Sequence, residues 1–447
     1  MRMDRADRTA SRLQWRSLAA FAPAAALFVW LCVQDLFTRT NPDEAAYKII
    51  DVGIVHGYWP YRDLFINRQP LTFLWYLPMG LGASIYAERV LAAAMMGASV
   101  LVVMRLASRW FSPERALPAG IAYALLLANP LMPVVANTEA FILLPLTAAF
   151  LVTSPFFAGA LLAVAVMTKL HAAVFAPVLL VLWWRRLPPV AIGGAIVVAI
   201  CVLPFVPIWH DFWVANVTFT LDYGHYTSAN RLEALRSVHR SLVYALLPLW
   251  VAALIGAVRS RNAALLVWAV CGVAAVKASG NDYDHYYALL APPVALLGVE
   301  GIAYMYRRPV LGAVLAATCA WAVLIFGAAA IARFRVTPNG PYEVLGHATA
   351  AKPGEVYVLG SRSDVYTYAD RQPRRRFFFS IPYVIRPHWA EEAGADLLSC
   401  PPDVLVVLSN DGDWPIPFRD DVTALYARSE QYEAGTVYTE PAPACVR

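Results

Sequence analysis

Asp43 and Glu44 stand side by side in the run Asn41-Pro42-Asp43-Glu44, and Tyr61-Arg62-Asp63 and Arg68 follow in the same polar stretch. Carboxylates close to guanidinium groups suit a transfer reaction at a phosphate. The acid takes the proton of an attacking hydroxyl, and the cations hold the departing phosphate. Both acids also have a structural explanation, because Asn41 suits a helix N-cap, Pro42 its first position and Glu44 the third position of a capping box. Capping accounts for either acid, but not for the tyrosine, arginines and aspartate that follow. More ionisable groups recur at the edges of apolar runs: Glu139 after Asn137-Thr138, Lys169 with His171, and Asp284-His285-Tyr286. Taken singly they have plain readings. Lys169 can snorkel to an interface, Glu139 can cap a helix, and His285 can hydrogen-bond Asp282 or Asp284 within an interfacial belt of tyrosines.

The elements that must position these groups are set by composition. The chain has 447 residues, 59% of them hydrophobic and 15% charged. With a mean hydropathy of +0.52, this is the composition of an integral membrane protein. Apolar runs near the roughly 20 residues of a spanning helix fall at about 17–37, 85–107, 115–134, 139–153, 155–168, 171–187, 189–208, 240–258, 262–279, 286–305 and 309–332. The expected fold is therefore an all-α multi-spanning membrane bundle of about eleven spans. The fourth and fifth runs are short, which predicts a bent or incompletely crossing pair. The helix predicted from Pro42 has Glu44, Lys48 and Asp51 on one side and apolar residues on the other, as in a helix lying at the interface.

Arginines predict the orientation. Arg2, Arg5, Arg8, Arg12 and Arg16 precede the first run, and Arg105, Arg109 and Arg115, Arg185 and Arg186, Arg259 and Arg261, and Arg307 and Arg308 fall on the same side if the span count holds. The positive-inside rule makes that side cytoplasmic and leaves Asp43, Glu139, Lys169 and His285 outside. An Arg-rich start before an apolar run also fits a cleaved signal peptide, but the run is longer than the usual apolar region of one. The net charge of +5 is accounted for by these arginines and implies no nucleic-acid partner.

After about residue 332 the composition becomes ordinary, dividing the chain into a membrane domain, 1–332, with interfacial helices in 40–84, and a small extracytoplasmic α/β domain, 333–447. Strands are expected at Glu355 to Leu359, Phe377 to Ile381 and Asp403 to Leu408, and a helix around Asp364 to Tyr368. Arg374, Arg375 and Arg376 are most simply a solvated cluster, with a place beside anionic lipid or phosphate as the other reading. Cys400 and Cys445 are candidates for pairing, and no Cys/His spacing indicates a metal site.

The order of the motifs resembles a known family. Asn-Pro-Asp-Glu after a first span, Tyr47 three residues on, Gly57-x-x-Pro60-Tyr61-Arg62-Asp63 and a proline-led helix are similar to the GT-C-fold glycosyltransferases of the protein O-mannosyltransferase and aminoarabinose transferase group, including bacterial relatives described as dolichyl-phosphate-mannose-protein mannosyltransferase-like. Met167-Thr168-Lys169-Leu170-His171 resembles the group's Thr-Lys motif, Asp284-His285-Tyr286-Tyr287 before Ala291-Pro292-Pro293 its His-Tyr and proline motif, and Val356 to Gly360 with Arg374 to Phe378 the tail of many members. Two positions depart from the pattern. The family often has Pro-Pro where Gln69-Pro70 stands, and its second acidic motif is represented only by Asn137-Thr138-Glu139.

The resemblance implies inverting transfer of one sugar from a polyprenyl-phosphate carrier to an extracytoplasmic acceptor. Asp43 would be the base, and Glu44 would orient the acceptor or cap its helix. Arg62, Lys169 and His285 would hold the phosphate, with Tyr61, Asp63, Arg68, Glu139, His171, Asp284 and Tyr286 lining the substrate. It implies a glycan or lipid acceptor, with protein as a third class, membrane lipid as the surroundings, no cofactor beyond the lipid-linked donor and no metal. The competing class is a transporter or flippase of a lipid-linked glycan, which should carry ionisable groups in mid-span and broken helices in repeated halves. A non-catalytic scaffold would need no clustered acids and bases.

Overall fold

The computed structural model describes residues 40–127, 136–228, 246–277, 283–333, 340–409 and 416–442. The predicted first span, at 17–37, lies outside them. The chain divides into two compact units, one drawing on 89–203 and 227–335 and the other on 39–88, 204–226 and 336–447.

The first unit is helical. Its helices include Pro113–Leu127, Thr138–Leu151, Pro155–Thr168, Leu187–Val202, Leu247–Arg259, Ala263–Lys277, Ala291–Tyr306 and Pro309–Arg333. Three of these begin at a proline and three more carry one at the second position, where its missing N–H has no intrahelical partner to lose. Two helical runs among the described residues, Ile85–Trp110 and Leu187–Tyr226, are long and apolar enough to cross a membrane. Only 11% of the apolar window in Leu187–Tyr226 is buried, so its hydrophobic side chains face outward, as they do against lipid. Thr138–Leu151 and Pro155–Thr168 have 14 residues each, short for a full crossing as expected.

Glycines let these helices approach closely. A Cβ on Gly159 would run into the Val190 carbonyl, and one on Gly301 into the Ala252 carbonyl. Helices 155–168 and 187–202, and likewise 247–259 and 291–306, therefore pack backbone against backbone. One end of this unit is rich in arginine: Arg109 donates to the Leu151 carbonyl at 2.7 Å, Arg115 pairs with Glu300 at 3.1 Å, and Arg259 and Arg308 lie over the Tyr304 ring. Glu139 sits at the opposite end of helix 138–151 from Leu151.

The second unit joins helices Pro42–Val55 and Pro70–Gly80 to the C-terminal segment and its four-stranded sheet. The sheet order is β1 (Val356–Leu359), β2 (Val404–Leu408), β4 (Gly435–Pro441), β3 (Tyr426–Tyr432). β1 and β2 are parallel, and the others pair antiparallel. β1 and β2 are buried throughout, hence their unbroken Val/Leu runs. The core is aromatic: the Phe65 ring lies 5.0 Å from Phe219 and 4.8 Å from Trp389.

One expected strand gives way here, and two further elements were not foreseen. Phe377 to Ile381 is not a strand: Ser380 N–H bonds the Gly360 carbonyl, and a short helix, Ile381–Ile385, begins with Pro382, which has no N–H to give a ladder. The hairpin β3–β4 carries too little apolar alternation to be read from sequence. Residues 209–228, between two of the apolar runs, are helical. Cys400 is disulfide-bonded; Cys445 lies outside the described residues.

Candidate active site

In the helical unit, three stretches far apart in sequence converge. Glu139 begins helix 138–151 and is wholly buried. Lys169 follows the last residue of helix 155–168, where extended backbone (φ −154°, ψ 126°) breaks the helix before a 3-10 segment, Leu170–Phe175. Its Nζ donates to Glu139 Oε1, and only 6% of the residue is exposed. Lys169 therefore does not snorkel. His285, in the 3-10 segment Asp284–Leu289, brings Nε2 to 4.0 Å from the same Glu139 oxygen.

Tyr286 binds the cluster together. Lys169 Nζ lies 4.4 Å from its ring centroid, a cation–π distance. The rings of His285 and His171 lie 4.7 Å and 5.3 Å from it. Glu139, Lys169, His171, His285 and Tyr286, five of the predicted site residues, thus form one cluster. The side chain of Asp284, a sixth, lies outside the described residues. Withdrawing an ammonium and a carboxylate from water costs several kcal/mol for each ion, so each of Lys169 and Glu139 depends on the other. An arriving phosphate would find a fixed ammonium and an imidazole beside it.

In the second unit, Asn41 Oδ1 accepts from Asp43 N at 2.9 Å, and Glu44 Oε2 accepts from Asn41 N at 3.1 Å. The predicted capping box is formed, and Glu44 is wholly buried within it. Asp43 keeps 40% of its side chain exposed and faces Arg68, with Nη2 3.6 Å from Oδ1. Arg68 is itself fixed: Nε donates to the Tyr47 hydroxyl at 2.9 Å and Nη1 to Asn67 Oδ1 at 3.1 Å.

Tyr61 is wholly buried among Phe73, Phe205 and Phe212, and its hydroxyl donates to the Arg68 carbonyl at 2.8 Å. With φ +75°, its backbone takes a conformation uncommon for a bulky residue. Tyr61 therefore braces the segment that presents Arg68. Arg62 and Asp63 pair with each other, Nε to Oδ1 at 2.8 Å and Nη2 to Oδ2 at 3.0 Å. The Arg62 guanidinium holds the Asp63 carboxyl below its usual range. Both line a recess that includes neither Asp43 nor Arg68.

Sequence reasoning named Tyr47 in a motif but gave it no role. The available signal was its position four residues after Asp43, which places both on one helix face. It placed Asp51 on the polar side of the same helix and gave it no role, but the structure does not leave it at a polar surface. This carboxyl is wholly buried, and neither oxygen has a hydrogen-bond partner among the described residues. Burial first, and the charge of Glu88 second, push its pKa up to about 9. No group of three or more His, Cys, Asp and Glu side chains among the described residues is arranged to hold a metal ion.

No protein-family model and no curated protein matches the sequence. Solved structures do match the fold. ArnT from Cupriavidus metallidurans bound to undecaprenyl phosphate is similar with a TM-score of 0.59 and 15% identity, over 96% of this chain and 99% of that one. The same protein in its apo state gives 0.56 and 15%, over 96% and 98%. The oligosaccharyltransferase AglB from Archaeoglobus fulgidus, in complex with an inhibitory peptide and a dolichol-phosphate, gives 0.56 and 13%, over 93% of this chain and 73% of that one. The chain has the GT-C fold that the motif order led one to expect.

Proposed function

We propose that this GT-C-fold chain is a membrane glycosyltransferase that moves a single sugar, with inversion, from a polyprenyl-phosphate carrier to a glycan or lipid acceptor. The observation that carries the reading is the buried Glu139–Lys169 pair with the half-buried His285 beside it. Ionisable groups are costly in a membrane-embedded unit, and a fixed ammonium beside an imidazole suits a lipid-linked phosphate. The likeness to structures holding undecaprenyl phosphate and dolichol-phosphate supports it.

In this reaction the acceptor oxygen bonds to the anomeric carbon as the bond from that carbon to the phosphate oxygen breaks. The acceptor proton passes to Asp43, and the polyprenyl phosphate departs with the electron pair. Lys169 and His285 stabilise the charge that grows on the phosphate, Glu139 positions Lys169, and Arg68 orients Asp43. We assign no cofactor beyond the lipid-linked donor. We further propose about eleven spans, a cytoplasmic N-terminus, and a reaction on the extracytoplasmic side, for which the bonded Cys400 is supporting because disulfides persist in oxidising compartments.

The test is transfer from a panel of radiolabelled polyprenyl-phosphate sugars into membrane extract by the purified protein. Transfer is expected from one donor, and Asp43→Asn and Lys169→Met should abolish it while an Arg185→Gln control retains it. Absence of transfer from every donor would overturn the enzymatic reading, and full activity in Asp43→Asn would remove that residue from the role of base.

A further inference from the structure

The arginine run that the transfer reaction leaves unused has a definite arrangement. Arg375 points inward and is 6% exposed; its Nε donates to Glu355 at 2.9 Å, its Nη1 to Asp396 at 2.5 Å and its Nη2 to the Cys400 carbonyl at 2.6 Å. Burial alternates along the run, so Arg374 and Arg376 lie more open on either side of this anchor. They line a recess of about 520 Å³ together with His56, Tyr58, Arg62 and Asp63. A second recess, of about 340 Å³, shares both arginines.

The cations here are only partly satisfied. Arg374 is exposed, and no acceptor among the described residues takes its guanidinium. Arg376 reaches Asp211 and Glu392 at 3.4 Å each, long for charged hydrogen bonds. Its Nε is buried without an acceptor among the described residues. The guanidinium is held in place over the rings of Phe377 and Trp389, at 5.1 Å and 5.5 Å. Asp63 is the one carboxylate in the lining, and Arg62 already holds both its oxygens. Arg62 is taken up by Asp63, and the terminal nitrogens of Arg376 by long contacts to Asp211 and Glu392, which leaves the Arg374 guanidinium and Arg376 Nε as the donors of this recess without a protein acceptor among the described residues.

We propose that the recess of Arg62, Arg374 and Arg376 is a binding site for a phosphate group, with Arg374 and Arg376 as its principal donors. The Arg376 guanidinium, held by packing, loses little freedom on binding, and the planar fork of a guanidinium matches phosphate oxygens. The same chemistry is offered by an anionic phospholipid headgroup and by a soluble phosphate. Its principal donors, Arg374 and Arg376, have no part in the transfer step proposed above, although the family resemblance had placed Arg62 and Asp63 beside the donor substrate, and its test does not depend on that activity.

The test is calorimetric titration of inorganic phosphate into the full-length protein in nanodiscs of phosphatidylcholine. A second arm uses discs containing phosphatidylglycerol. Saturable binding is expected in the first arm, weakened about tenfold or more by Arg374→Gln or Arg376→Gln and unchanged by Arg428→Gln, an exposed arginine paired with Glu440. Loss of the phosphate signal in phosphatidylglycerol discs assigns the site to a lipid headgroup; its persistence there assigns it to a soluble phosphate. Arg374→Gln alters only an exposed side chain, so it remains informative if Arg376→Gln fails to fold. Absence of binding in the wild type, or equal binding in Arg374→Gln, overturns the proposal.

Discussion

Lys169 donates to Glu139 across 30 positions of sequence, and the two side chains are 8% and 0% exposed. Neither charge can be solvated by bulk water if its partner is lost. Removing one partner of a buried pair costs about 3–5 kcal/mol, whereas replacing both by apolar or neutral groups is often nearly neutral.

That asymmetry separates structure from function. Lys169→Met should lower the unfolding temperature in detergent and abolish transfer, and adding Glu139→Gln should restore most of the stability but none of the transfer. A double variant with wild-type transfer would reduce the pair to a structural role.

Asp51 predicts an unusual pH dependence. Its carboxyl has a pKa of about 9 when folded against 3.8 for the ordinary group, so the folded chain holds a proton that the unfolded chain gives up. Its contribution to stability is fully present below about pH 4 and is lost as the pH rises through about 9. Asp51→Asn keeps the shape without the ionisation. Melting curves between pH 5 and pH 9, a window inside that range, should show the variant losing less stability than the wild type and melting a few degrees higher at the alkaline end. Parallel curves would show that Asp51 does not carry the effect.

Arg68 uses separate nitrogens for Tyr47, Asn67 and Asp43, a fork that a lysine cannot reproduce. Arg68→Lys is expected to lower kcat about tenfold or more with the fold intact, because Asp43 loses its orienting partner. Tyr61→Phe removes the donor to the Arg68 carbonyl and should cost about 1–3 kcal/mol of stability. Its effect on kcat should run in the same direction as that of Arg68→Lys and be smaller. An unchanged kcat in Arg68→Lys would separate Arg68 from the work of Asp43.

Helix packing in the first unit depends on Gly301. Any side chain there meets the Ala252 carbonyl, and backbone cannot yield as a flexible side chain can. Gly301→Ile should reduce the yield of monodisperse protein on fluorescence-detected size exclusion, with overpacking costing at least about 1–3 kcal/mol. Gly312→Ile, on an open helix position where only the Met305 carbonyl comes within 4 Å, at 3.8 Å, should be tolerated and serves as the control.

Much of this was legible before any coordinates. The capping box at Asn41 and Glu44, the helix Asp364–Tyr368 and strands β1 and β2 are local: a cap is decided by four adjacent residues, and a buried strand by a short apolar run. Phe377 to Ile381 read as a strand because its apolar pattern is strand-like, but Pro382 and the bond from Ser380 to Gly360 turned it elsewhere. The polar hairpin β3–β4 owes its place to pairing with β2, a partner that its own residues do not announce.

The candidate site divides in the same way. Sequence alone determined that the chain is built for a membrane, that acids and cations lie at the ends of its apolar runs, and that they follow the order of a transferase family, because hydropathy and motif order are properties of the linear chain. Only the tertiary structure decided that Lys169 is buried against Glu139 instead of reaching for water, that His285 joins them, that Tyr61 is a brace and that Arg375 is an anchor between two open arginines. Each of those outcomes depends on which distant groups share a desolvated space, and the energy of a charge is set by those neighbours far more than by its position in the chain.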